Sequence, residues 1–213
     1  VAETRISPSG MELTGLPLLG LTLGTDGAWS GRFWTKNENE KRRYSCNWCE
    51  TVRVVGRKLS ITYNDALLPA IFDSEKQLRT ISAWGNKTQE DLSRLKIGIV
   101  GLGSVGSVVA EILARTGISN FTLIDFDAVE EKNLDRLTNV FKDDIGRAKV
   151  LAVTDGIRKS ATAPKIKITT CEYSICEKPG YNTALDCDIL FSCVDRPWPR
   201  QVLNFISYAH LIP

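Results

Sequence analysis

The sequence predicts an α/β chain: a doubly wound, mainly parallel sheet preceded by a small β-rich module. Three observations carry that expectation. From about Glu75 onward, short apolar runs alternate with amphipathic stretches, the pattern of strand–helix–strand units. A glycine-rich turn, Gly101-Leu102-Gly103-Ser104-Val105-Gly106, stands between one such run and the amphipathic stretch after it. Residues 1–78 instead hold turn signals and alternating runs. The expected division is a β-rich module with its connector over 1–78 and an α/β domain over 79–213.

The elements follow in chain order. Turns are expected at Pro8-Ser9-Gly10 and Gly24-Thr25-Asp26-Gly27, with Trp29, Phe33 and Trp34 marking a small core and 36–43 a charged loop. Thr51–Val55 and Leu59–Tyr63 flank Gly56-Arg57-Lys58 as a hairpin. Residues 64–74 read as a connector, because Pro69 interrupts any helix there. Lys96–Val100 is a buried strand, and 104–116 a helix whose stripe is Val105, Val108, Val109, Ile112 and Leu113. Gly117 suits the position just past its end. Residues 121–124 form the next strand. Asp143 or Asp144 is expected to cap a helix running to Ser160, with Val150, Val153 and Ile157 on one face and Gly156 as a weak point. Strands over 165–170 and 188–194 follow. Pro197 and Pro199 start a last helix, 200–209, facing inward with Val202, Phe205, Ile206 and Ala209.

Composition narrows the classes. With 43% hydrophobic and 24% charged residues, the chain is neither disordered nor fibrous. A balance of 27 Lys+Arg against 25 Asp+Glu supplies no basic face for nucleic acid, and no apolar run reaches the ~18 residues of a membrane span. Six cysteines in 213 residues do not read as a disulfide scaffold, so a reduced, cytoplasmic protein is expected. The chain opens on Val1, with no basic-then-apolar leader, and reads as a piece of a longer protein.

The glycine turn carries the chemistry. Placed after a strand and before a helix, Gly101, Gly103 and Gly106 allow a sharp turn, close approach of backbone to phosphate, and tight helix packing. The helix start offers N–H groups and a positive dipole end to an anion. Asp125, 22 residues past Gly103, ends the next strand, where a carboxylate accepts from ribose hydroxyls. These features alone leave NAD and ATP open, and together they imply a Rossmann-like fold. Downstream, Asn133 and Arg136 stand three apart, able to share one face of a helical turn, and Lys149 follows. An amide, a planar guanidinium and a mobile ammonium suit a triphosphate better than a cradled pyrophosphate. Asp195, at the carboxyl end of the fourth strand, is placed to hold Mg²⁺ together with phosphate oxygens.

Taken as a series, GLGSVGS, LIDFD, NLDR, DIGRAK and CVD…R…LN…IP resemble the ThiF/MoeB and ubiquitin-activating-enzyme superfamily from about Arg79 to Pro213. The resemblance implies ATP- and Mg²⁺-dependent adenylation of the C-terminal glycine of a ubiquitin-like or sulfur-carrier protein, within a homodimer. It implies that Ser104 and the glycines line the adenosine, that Asp125 holds the ribose, that Asp127 belongs to the cofactor-binding set, and that Asn133, Arg136 and Lys149 meet the phosphates. Asp195 would organise the metal, and Arg79 would reach a partner subunit's triphosphate. The sequence departs from the family pattern at Thr80, Leu137 and Arg196, and it stops short of the family's further sheet, crossover loop and zinc site. Residues 1–78 resemble the segment before the ThiF-like domain in bacterial fusions with a JAB-type module. Cys46-Asn47-Trp48-Cys49 is half of a zinc site with no second pair, so zinc is not expected. Three other readings stay in view: an NAD-linked oxidoreductase, a degenerate binding module without catalysis, and tRNA-modifying dehydration.

Overall fold

A computed structural model of the chain describes residues 17–36 and 44–213. The turn expected at Pro8-Ser9-Gly10 and all but Lys36 of the charged loop lie outside these residues. Contacts divide the chain at Pro69 and Ala70 into two compact units.

In the first unit, β1 (Leu18–Leu23), β2 (Trp29–Lys36) and β3 (Tyr44–Trp48) form an antiparallel sheet in that order. The turn at 24–27 closes β1 onto β2: Gly24 N–H donates to the Ala28 carbonyl at 2.8 Å, and the Asp26 carboxylate accepts from Ala28 N–H at 3.0 Å. The hairpin forms as the alternating runs require. β4 (Thr51–Val55) pairs antiparallel with β5 (Leu59–Tyr63), from Thr51 opposite Tyr63 to Val55 opposite Leu59. Its core is thin: among the described residues of this unit only Gly31 and Trp34 are buried, while Trp29 and Phe33 are half-buried.

The second unit is a parallel sheet of β6 (Lys96–Val100), β7 (Asn120–Ile124), β8 (Lys167–Cys171) and β9 (Ile189–Ser192), in the order β8-β7-β6-β9. Strand order reverses at β6, so right-handed crossovers place helices on both faces. On one side α3 (Ser104–Arg115) packs against α4 (Lys149–Ser160). On the other, α5 (Lys178–Ala184) and α6 (Pro197–His210) supply Ala184, Leu203 and Ile206 to a cluster with Val100, Ile124 and Cys171, which lie side by side in register. None of the helices among the described residues is long and apolar enough to cross a membrane.

Several elements differ from expectation. The inward face of α3 is Gly106, Ser107, Ala110 and Ala114, whereas Val105, Val108 and Ile112 are exposed. Small residues win because the helix start lies almost against the strand it follows. In α6, Leu203 and Ile206 are buried and Phe205 is exposed, so the inward face is turned by a residue. Neither Asp143 nor Asp144 caps α4. Lys142–Asp144 closes a separate 3-10 turn, Gly146 turns at φ 87°, and α4 begins only at Lys149. The backbone of 146–149 first pairs with 127–129, which takes the N–H and C=O groups a helix would need. Val150, Val153 and Ile157 are buried as expected, and Gly156 is needed there, since a Cβ would stand 2.8 Å from that of Asn139.

Two short helices, α1 (Leu78–Trp84) and α2 (Asn86–Arg94), precede the sheet and carry no sequence signal. Buried amides hold them. Gln89 Nε2 donates to Gln77 Oε1 at 2.9 Å and to the Thr116 carbonyl at 3.0 Å, while its Oε1 accepts from Trp84 Nε1 at 3.0 Å. Gln77 Nε2 donates in turn to Thr162 Oγ1 at 3.1 Å. Gly117 makes room, since a Cβ there would fall 2.3 Å from Gln77 Nε2.

Candidate active site

β6 ends at Val100, and the chain turns through Gly101 at φ 86°, a conformation L side chains avoid. A Cβ on Gly101 would lie 2.8 Å from the Cys193 carbonyl oxygen, and one on Gly106 only 1.9 Å from the Gly101 carbonyl oxygen. These two glycines are demanded by the chain's own packing. At Gly103, the residue before α3, a Cβ would meet nothing within 4 Å. There the bare backbone faces open space beside the N–H groups that begin a 12-residue helix, and Ser104 is exposed. That cradle fits the phosphates of a nucleotide.

Asp125 follows β7 and is 8% exposed. Its Oδ2 accepts from Leu102 N–H inside the glycine turn at 2.6 Å, and its Oδ1 accepts from Asp127 N–H at 2.8 Å. Burial pushes this carboxyl up from its ordinary value, against the pull of those two N–H groups and of Lys149. Asp125 therefore clamps the turn, with lone pairs left on its oxygens for ribose hydroxyls.

Lys149 arrives by backbone pairing. Val129 N–H donates to the Arg147 carbonyl at 2.8 Å, and Lys149 N–H to the Asp127 carbonyl at 2.9 Å. Its ammonium then meets Asp127 Oδ2 at 2.7 Å, with the lysine side chain 10% exposed. Arg147 locks the same loop onto α4 by pairing with Asp155 at 2.9 Å and with Asp144. Those carboxylates, Asp155 before Asp144, push the Arg147 guanidinium pKa up. Asp144 stands three residues before Arg147 and Asp155 eight after it, and the chain turns at Gly146 beside this arginine.

Asp195 is exposed just past β9. Cys193 N–H donates to the Val100 carbonyl at 2.8 Å, and Arg200 Nε pins the Val194 carbonyl at 2.9 Å. Asp195 thus stands at the carboxyl end of β9, one strand from the glycine turn, where the strand order reverses. Among the described residues no three His, Cys, Asp or Glu side chains group as metal ligands. A single carboxylate fits Mg²⁺, which takes its remaining ligands from phosphate and water. Cys46 is exposed and Cys49 lies against Gly31.

Asn133 and Arg136 lie in one turn, with Arg136 N–H donating to the Asn133 carbonyl at 3.1 Å, but their side chains differ in burial and partners. Asn133 is buried, its Oδ1 accepting from Glu130 N–H at 3.0 Å to close a 3-10 turn. Arg136 is exposed and folds back, donating to the Lys132 carbonyl at 2.8 Å and Asp135 Oδ1 at 2.9 Å. The turn is fixed to α3 by Thr138 N–H on Ser107 Oγ at 3.1 Å, and Leu137 is buried beneath it. Arg79 is exposed on α1 and, among the described residues, bonds to none of these groups. The structure therefore joins the glycine turn, Asp125, Asp127 and Lys149, with Asp195 on the neighbouring strand end. Arg136 and Arg79 are not joined to them.

Residues 74–213 match the ThiF family. The chain is 30% identical over 155 residues to ubiquitin-like modifier-activating enzyme 5 of Drosophila melanogaster, covering 66% of this chain and 38% of that protein. It is 31% identical over 125 residues to the molybdopterin-synthase adenylyltransferase of Escherichia coli, covering 59% of this chain and 49% of the other. Among solved structures, E. coli tRNA N6-threonylcarbamoyladenosine dehydratase in complex with ATP superposes with a TM-score of 0.60 at 28% identity, over 66% of this chain and 57% of its own. The chain thus spans half or less of the curated relatives it matches here. With its parallel sheet, glycine turn and clamping aspartate, the chain belongs to the ThiF family.

Proposed function

We propose that this chain binds ATP with Mg²⁺ and transfers AMP to the C-terminal glycine carboxylate of a small ubiquitin-like or sulfur-carrier protein. The observation that supports this best is the bonded series Leu102–Asp125–Asp127–Lys149, which sets an ammonium beside a phosphate-fitting turn. An NAD enzyme has no need of that ammonium. The names of the relatives, an activating enzyme and an adenylyltransferase, point the same way.

In this reading the glycine turn and Ser104 seat the nucleotide, and Asp125 takes the ribose. Lys149 neutralises charge at the α-phosphate, with Asn133 and Arg136 contributing after Arg136 leaves Asp135. Asp195 would hold Mg²⁺, which supplies charge neutralisation for the leaving pyrophosphate. The substrate carboxylate is ionised at neutral pH and attacks phosphorus in line, so a new P–O bond forms as the bond to pyrophosphate breaks. No general base is needed. His210, the sole histidine, is bonded to Tyr181 Oη at 2.8 Å and ends α6, at the opposite end of that helix from Asp195.

The test is carrier-dependent exchange of labelled pyrophosphate into ATP. Lys149→Ala is expected to lower it by about 10²- to 10³-fold, the range for losing one preorganised charge donor. Tight NADH binding with no exchange would reject the reading. The likeness to the tRNA dehydratase supports a second reading, ATP-dependent dehydration of a modified adenosine in tRNA. Exchange that responds to tRNA and not to a Gly-ended protein would favour it. Arg79 is proposed to serve the opposite site of a homodimer. Mixing inactive Arg79→Ala and Lys149→Ala chains should then restore about a quarter of the activity, one site in half the dimers.

A further inference from the structure

We propose that Asp127 is a positioning residue: its carboxylate holds the Lys149 ammonium in place for the glycine turn, rather than touching the nucleotide. This rests on the nucleotide reading above. Two bonds join the pair, Lys149 N–H to the Asp127 carbonyl at 2.9 Å and Nζ to Oδ2 at 2.7 Å. Their burial is unequal. The lysine side chain is 10% exposed and the aspartate side chain 50%, so the cation is the desolvated partner.

The neighbouring charges are committed elsewhere. Both Asp125 oxygens already accept N–H groups, from Leu102 and Asp127, and Asp125 acts on the lysine only through space. From α4 and the loop before it, Arg147 pairs with Asp144 and Asp155, and on the facing segment Lys132 pairs with Glu130 at 2.6 Å. Among the described residues, Asp127 is the carboxylate bonded to Lys149. A triphosphate entering the turn would find that ammonium already placed beside it.

The test uses Asp127→Asn in the full chain. The variant keeps the backbone bond and alters a half-exposed side chain, so folding should survive. In nucleotide-free protein, acetylation read by mass spectrometry follows how firmly the Lys149 amine is held. Lys149 of the variant should be acetylated several-fold faster than in the parent, because the ion pair no longer holds it. Mg-ATP affinity of the variant should fall about tenfold, the loss of one well-placed charge-assisted contact. Asp127→Glu should restore both readouts, and in a Lys149→Ala background Asp127→Asn should change affinity little, because no ammonium is left to place. Unchanged Lys149 acetylation in Asp127→Asn, or an equal affinity loss in the Lys149→Ala background, overturns the proposal. Absent Mg-ATP binding by the parent would instead reject the nucleotide reading, and the acetylation arm would still decide the role of Asp127.

Discussion

Gly106 and Asp125 answer different constraints within one turn. The Gly106 position leaves no room for a methyl group, since 1.9 Å separates its ideal Cβ from the Gly101 carbonyl oxygen. Gly106→Ala must push α3 off β6, at a cost of about 2–4 kcal/mol. Chemical denaturation would show this, and a loss under about 0.5 kcal/mol would mean the helix start is not fixed there. Asp125 makes a pH prediction. Burial raises its carboxyl in the fold, so the neutral acid is favoured there. That contribution is complete below the unfolded value near ~3.9 and is lost as pH rises through the raised folded value. The Tm of Asp125→Asn relative to the parent should therefore rise from pH 4 to pH 7. A flat difference would show that the two N–H bonds fully offset burial. Both residues were legible as nucleotide-site candidates from spacing alone. That Asp125 also clamps Leu102 was not, because hydrogen-bond partners 23 positions apart leave no periodic trace.

At the scale of elements, strands β6 and β7 could be read from their apolar runs, and helix α3 from the glycines that flank it, although its valine stripe faces outward. The short helices α1 and α2 could not. Their seven and nine residues cover about two turns, and what holds them is an amide network rather than an apolar stripe. Gln89→Leu would leave Trp84 Nε1, Gln77 Oε1 and the Thr116 carbonyl without their partner. The expected loss is about 2–4 kcal/mol, with hydrogen exchange rising first in α1 and α2. Uniform exchange across the sheet would argue against a local anchor. The late start of α4 has the same kind of cause. Pairing of 146–149 with 127–129 competes with helix formation and wins, and only that pairing brings Lys149 to Asp127.

Across the whole molecule, two units of unequal core predict two unfolding transitions. Between Pro17 and Pro69 the described residues bury only Gly31 and Trp34, whereas the larger unit has many fully buried aliphatic side chains. Calorimetry of the full chain should show a small transition at lower temperature, lost first on heating. One cooperative transition would reject separate units. The amino-acid order by itself determined the parallel sheet, the glycine turn and the family, because each is written as a local period or a short fixed spacing. Only the tertiary structure decided which charges meet. Lys149 finds Asp127 while Arg136 stays in its own turn, since such pairings depend on backbone bonds between distant segments and on which partner is stripped of water.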